Sequence, residues 1–441
     1  MKYQRFIANR RAVLTALGTA LGGVASGSFW SQSGWSQSLS GTGPLGLKLR
    51  PASLALLNGQ QTPVWSLEQQ DLPGFVSRMR RSDMLTLDIV NQAPVAIAVD
   101  VRGINGAASA QPLLAQPPLP ADGKAAVGIP LKQCGTFLID PRLLGHGSER
   151  PLLPRVLVVE DSASGSDRDE VLLIEDWRLR GDGSALTPGR DAGGAATLYT
   201  LNRAASVDIN VKRNARIRLR IVNGCQRAIV ALKIADHDLW VMAFDGEAAE
   251  PFIARDGQIV LGPGTRADAF VDAARPSGTS SEILLHDGTK AIPIGRIVTS
   301  GEARTAPLPA PSPLASSASP RIDLKAARRF ELSLDPSQWS TPAAFDKASK
   351  PALRARRGQT VVLAITNAMP SPATFHLHGH HFRLLDRMDD GWKPFWLDTL
   401  VFQPGQTQRV AFAADFTGNF LMEAMGNAWS APRLLRWYAV D

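Results

Sequence analysis

Two cysteines and seven histidines are all the thiol and imidazole groups that 441 residues supply. Two cysteines cannot build a disulfide scaffold, and Cys134 and Cys225 either pair once or remain thiols, both of which the sequence allows. No segment carries the roughly 18 or more consecutive apolar residues of a membrane helix. Gly-rich phosphate loops, a Gly-x-Ser-x-Gly elbow and Cys-x-x-Cys are all missing, so phosphoryl-transfer, hydrolase and thiol-redox classes have no support. Nor does any Lys/Arg-rich run interleave with aromatics, which argues against a nucleic-acid partner.

What is present is turn-rich. Thirty-eight Gly and 31 Pro, with 44% hydrophobic and 20% charged residues, suit short strands over long helices and place the chain in the all-β class. Its length calls for two to four cores, since single cores stop growing well below it. The net charge of +8 is partly local: Lys2, Arg5, Arg10 and Arg11 precede any acid, and without them it falls to +4. Asn9-Arg10-Arg11-Ala12-Val13-Leu14 leads into the small, mildly apolar stretch from Thr15 to Gly27. That segment resembles a twin-arginine export signal over residues 1–30, which implies a periplasmic protein with no stable membrane span once the signal is cleaved.

Three blocks of strand-like runs follow, over residues 45–162, 168–302 and 323–441, with a Pro/Ser/Ala-rich linker at 303–322. Each block holds a period-two run ending in Asn: 84–91, 215–223 and 359–367. In the second run, Arg216, Arg218 and Arg220 alternate with Ile217, Leu219 and Ile221, which predicts one buried and one solvated face. One sandwich fold used three times explains the repetition.

The motifs make the resemblance specific. "RLRIVNG", "MAFDGEAAEP" and "LGPGTRADAFVD" in the second block, and "FHLHGHHFRLLD" and "WLDTLVFQPGQTQRVAFAADFTGNF" in the third, resemble the middle and last domains of the multicopper oxidases. "DIVNQAPVAIAVDVRGING" and "CGTFLID" fit the first domain more weakly. The resemblance implies three consecutive cupredoxin-like Greek-key β-sandwich domains. It also implies a type 1 copper held by two imidazoles and a thiolate, and a three-copper cluster held by four His-x-His pairs, roughly ten imidazoles in all.

Seven histidines cannot hold that set. Where the resemblance places the four pairs stand Asp100-Val101-Arg102, Asp140-Pro141-Arg142, His376-Leu377-His378 and Glu423-Ala424-Met425. At the type 1 positions stand Ala373, Ala424 and Trp429, with Leu434 near the axial place. No type 1 copper forms by the family's route, so oxidation coupled to oxygen reduction has no entry point.

The replacements suggest an ionic network of Asp100, Arg102, Asp140, Arg142, Glu423, His376 and His378 that ties the first domain to the third, because residues two apart on a strand share a face. The alternative is one residual copper or zinc on His376, His378 and His380, with Glu423 or Asp140 as a fourth ligand. His381 and His237 are expected to be structural, and His146 and His286 to be solvated. Trp392, Trp396, Trp429 and Trp437 are expected to fill cores or line the old substrate face. The resulting expectation is a largely copper-free binding protein. It is similar to the copper-less members associated with bacterial cell division, with an envelope or divisome partner and either no cofactor or one residual copper. The competing expectation is a copper-dependent oxidoreductase with a reduced site.

Overall fold

The computed structural model describes residues 44–57, 60–69, 74–81, 84–160, 165–315, 320–386 and 391–441. The export signal expected at residues 1–30 lies outside the described residues. The chain is all-β, and among the described residues six sheets face each other in pairs as three sandwiches, each around its own apolar core.

One pairing rule recurs in all three. An opening strand pairs in parallel with the Asn-terminated strand: Leu45–Leu57 with Leu85–Asn91, Arg168–Leu179 with Arg216–Asn223, and Arg328–Ser333 with Thr360–Thr366. The Asn-terminated strand then pairs antiparallel with Lys124–Ile129, Arg266–Asp272 or Thr407–Ala413. The Asn itself explains why the motif repeats. Asn91, Asn223 and Asn367 are fully buried, and each carboxamide oxygen accepts the N–H two residues ahead while its NH₂ donates to carbonyls across the turn. A strand that leaves its sheet inside the protein strands its backbone groups, and this side chain satisfies them locally.

The expectation of a solvated face on Arg216–Asn223 is corrected. Arg218 and Arg220 are 1% exposed, and Arg216 is 4%. That face packs against the first sandwich, so its guanidinium groups are paired instead of hydrated. Arg218 reaches Asp268 at 2.6 Å, Arg220 reaches Asp169 at 2.7 Å, and Thr136 of the first sandwich donates to Asp268 at 2.7 Å. Phe75, Leu138, Val156 and Val158 meet Val171, Leu173 and Val222 at the same junction.

Between Glu302 and Arg328 the described residues carry no strand, and part of the segment is tied down: Arg216 donates to the Pro309 carbonyl at 2.7 Å, and Leu314 packs beside Met242 and Phe270. No disulfide joins the cysteines. The Cys134 thiol donates to the Glu160 carbonyl at 3.3 Å, and Cys225 is buried with its pKa well above the ordinary thiol value because of that burial.

Candidate functional site

Two short strand pairings from different sandwiches set the site. In the first sandwich Asp100–Arg102 pairs antiparallel with Gly135–Asp140, placing Asp100 opposite Asp140. In the third, Ala373–Leu377 pairs antiparallel with Gly418–Gly426, placing His376 opposite Glu423. Period-two alternation puts Asp100 and Arg102 on one buried face, aimed at the other sandwich.

Across the gap, Arg102 meets Glu423 at 2.5 Å and Asp100 at 3.1 Å. Arg142 grips Asp140 with two bonds, at 2.7 and 3.0 Å, and donates to the Gly224 carbonyl of the second sandwich at 2.6 Å. Arg433, which the sequence reading did not single out, closes the set by reaching Glu423 at 2.9 Å and Asp140 at 3.3 Å. Three carboxylates therefore face three guanidinium groups, all of them at most 6% exposed, and all three sandwiches contribute a contact.

Burial alone would raise the carboxyl pKa values, but the opposing charges win. His378 and Arg102 hold Asp100 at about 2, and Arg102 with Arg433 hold Glu423 at about 2. Asp140 lies lower still, under Arg142 and Arg433. Burial, only partly offset by Asp398, pushes His376 down to about 4, so its imidazole is neutral at neutral pH.

The imidazoles sit at the edge of this set, 4.4 Å apart between ring centroids. His376 Nδ1 lies 2.9 Å from the Thr399 hydroxyl and 3.3 Å from Asp398, while His378 Nδ1 lies 3.3 Å from Asp100. With Nδ1 donating to these oxygens, the neutral His376 presents a lone pair at Nε2, and neither imidazole's Nε2 has a hydrogen-bond partner. Asp100 Oδ2 and Arg102 Nε also lack one. Ligand atoms of Asp100, His376 and His378 lie within 4.8 Å of one another, so these three could geometrically hold a single ion.

A second ionic knot adjoins the first. Arg266 meets Asp398 at 2.6 Å and Asp245 at 3.6 Å, joining the second sandwich to the third. Asp245 also accepts the Asp398 and Thr399 N–H groups; burial and the Asp398 charge push it up to about 7, whereas Asp398 is held well below the carboxylate range despite burial by Arg266 and His376. His381 belongs here, bonded to Asn105 of the first sandwich and to the Asp245 carbonyl at 2.8 and 2.9 Å.

His380 stands apart from the other candidate ligands. Its ring is enclosed by Phe412, Phe416, Phe420 and Tyr438, with Nδ1 2.8 Å from the Tyr438 hydroxyl and Nε2 accepting the Phe416 N–H at 3.2 Å. Burial lowers its pKa to about 3. The strand ends at Leu377, and Gly379 turns the chain with φ +76°, so the alternation that aligns His376 with His378 does not extend to His380. The third group beside the imidazoles is Asp100, not His380.

Ala373, Ala424 and Leu434 lie in the apolar core of the third sandwich, and Trp429 is half-buried with the Arg178 guanidinium 4.8 Å from its ring centroid. None of these positions carries a thiolate or an imidazole. Met425 is buried between Thr374 and Arg433 in the strand register. His146 and His286 are exposed, and His237 is half-buried with Nδ1 2.8 Å from the Ala235 carbonyl. Trp396 and Trp437 are buried, whereas Trp392 is exposed.

The copper set of the resembling family does not fit these residues. The type 1 donors are replaced by hydrocarbon, and guanidinium groups occupy two of the four imidazole pairs. A lone ion on Asp100, His376 and His378 has suitable donor atoms, but the three carboxylates are already balanced by three arginines, and Arg102 Nε lies 3.1 Å from the Asp100 oxygen it would need. A dication there would bring uncompensated buried charge.

Two family models described as Multicopper oxidase match this chain, over residues 169–279 and 321–431. Multicopper oxidase MmcO of Mycobacterium tuberculosis is 22% identical over 410 residues, covering 81% of this chain and 79% of its own. Among solved structures, a multi-copper oxidase from Pseudomonas thermotolerans superposes with a TM-score of 0.77 at 22% identity, over 92% of this chain and 100% of its own. Lac15 from a marine microbial metagenome does so with a TM-score of 0.75 at 22% identity, over 90% and 100%.

Proposed function

The chain belongs to the multicopper oxidase family, and within it we propose a member that acts by binding and not by oxidase catalysis, exported to the periplasm to engage an envelope or divisome protein. The observation that carries this reading is the Arg102 to Glu423 pair. It spans the first and third sandwiches with fixed charges, at positions where the family's pattern places cluster imidazoles. Assembly of the three sandwiches then needs no metal, and the buried Ala424 offers no thiolate through which a substrate electron could enter. The twin-arginine-like segment at residues 1–30 and the likeness to copper-less cell-division members support the location and partner class. Among the described residues no helix is long and apolar enough to cross a membrane.

A second reading rests on the candidate ligand atoms of Asp100, His376 and His378, which lie within 4.8 Å of one another. One copper held there would make a reduced redox centre or a carrier. Metal analysis of protein purified from the exported fraction, before and after incubation with cupric and cuprous ions, separates the readings. The binding reading expects no stoichiometric copper and no oxygen consumption with a phenol or cuprous ion. One tightly held copper with turnover would overturn it, and one held without turnover would make the protein a carrier.

A further inference from the structure

Beside the ionic set, a recess of about 300 Å³, including its open mouth, runs in where the three sandwiches meet. Arg142 from the first, Arg227 from the second and Arg433 from the third line it, each more than nine-tenths buried, and no carboxylate is in its wall. Its enclosed part has room for about one water-sized group, and the exposed His146 is part of its lining.

Arg142 and Arg433 answer to Asp140 and Glu423, but Arg227 has no such answer. Its Nε and one terminal nitrogen donate to the Ala431 carbonyl at 3.0 and 2.7 Å, and the other donates to the Gln226 carbonyl at 2.6 Å. Those are neutral acceptors, and among the described residues Arg227 forms no ion pair. Asp176, the carboxylate that acts on it most strongly, uses its oxygens on the backbone N–H groups of Gln226, Arg227 and Ala228. Each terminal guanidinium nitrogen of Arg227 keeps one N–H beyond these bonds, and Arg433 Nε carries no bond either. A buried guanidinium without an ion-pair partner is costly: burial, then repulsion from Arg433, push Arg227 down to about 9 even though the Asp176 and Glu423 charges oppose the shift. The same charge adds to burial in lowering the pKa of His146.

We propose that this recess binds one small inorganic anion of halide size, held between Arg227 and Arg433, as a removable electrostatic clasp across the three sandwiches. Its size excludes larger organic acids from the inner end, and its donors are all cationic or neutral. The clasp is independent of whether the neighbouring imidazoles hold a metal.

Thermal unfolding in sodium chloride against sodium gluconate at equal ionic strength tests the proposal, because gluconate is too large to enter. The midpoint of the wild type should rise with chloride and not with gluconate. Bromide-soaked crystals should show an anomalous peak in contact with the Arg227 guanidinium. Arg227→Gln should raise the chloride Kd by about tenfold or more, the loss of a charge-assisted hydrogen bond. If that variant fails to fold, Gln226→Glu supplies a carboxylate inside the wall, and its stability should exceed that of the wild type in gluconate and ignore chloride. Equal midpoints in the two salts, a bromide peak only elsewhere, or chloride dependence retained in Gln226→Glu would each overturn the proposal.

Discussion

Replacing Arg102 by Met keeps an unbranched stem as far as the Nε position and removes the guanidinium that joins Asp100 to Glu423. After the change Glu423 keeps Arg433 at 2.9 Å and Asp100 keeps His378 at 3.3 Å, so neither carboxylate is left wholly alone. Breaking a buried pair by removing one partner costs about 3–5 kcal/mol, and the surviving partners argue for the lower end, about 3 kcal/mol. For a cooperative unit of about 120–135 residues that loss lowers the unfolding midpoint by about 10–12 °C. Calorimetry is the appropriate assay, because three sandwiches need not unfold as one transition and the affected one can be identified. Adding Glu423→Met to Arg102→Met should cost less than Glu423→Met costs in the wild type, because the Arg102 to Glu423 pair is already broken. A single-variant loss under about 1 kcal/mol, the value of an exposed pair, would refute the view that this network holds the sandwiches together. So would strict additivity of the two changes.

Other expectations follow from the same geometry. Asp100 and Glu423 titrate near 2 in the folded protein, against about 4 when unfolded. The unfolded chain therefore binds more protons between those values, and stability should be complete above about pH 4 and lost as pH falls toward 2. Urea midpoints measured from pH 5 to 2 should show this slope, and Asp100→Asn with Glu423→Gln should flatten it. His380→Phe should leave copper uptake, whatever its level, equal to that of the wild type while lowering stability by about 1–3 kcal/mol through its lost bonds to Tyr438 and Phe416. His378→Ala should abolish any uptake that exists, and equilibrium dialysis compares the two. Gly379→Ala should cost about 2–5 kcal/mol by chemical denaturation, because φ is +76° and an added Cβ would lie 2.1 Å from the Phe420 ring.

The Asn-terminated runs were legible because a local rule makes them. Period-two alternation builds the strand, and one carboxamide satisfies the turn that follows it. The Arg216 to Arg220 face was misjudged for the complementary reason. Alternating Arg reads as a wet surface until another sandwich covers it, and no feature of the strand itself says that Asp268, Asp169 and Thr136 are waiting there. His380 fell outside the site because a turn at Gly379 rotates it into the aromatic core, a change of direction that spacing along the chain does not report.

For the candidate site, the sequence by itself determined what chemistry is excluded. Seven histidines and an alanine at the thiolate position rule out the full copper set in any conformation, because ligand number and donor type are properties of composition. It also proposed the charged residues at the former pairs, since residues two apart must share a strand face. Only the tertiary structure decided how those charges are matched. Arg433 lies in an unremarkable last strand and closes the network solely because that strand runs beside Glu423 and faces Asp140. Arg227 is left without a carboxylate for the same kind of reason. Electrostatic pairing depends on distances of a few ångströms between segments hundreds of residues apart, and those distances exist only once the three sandwiches have met.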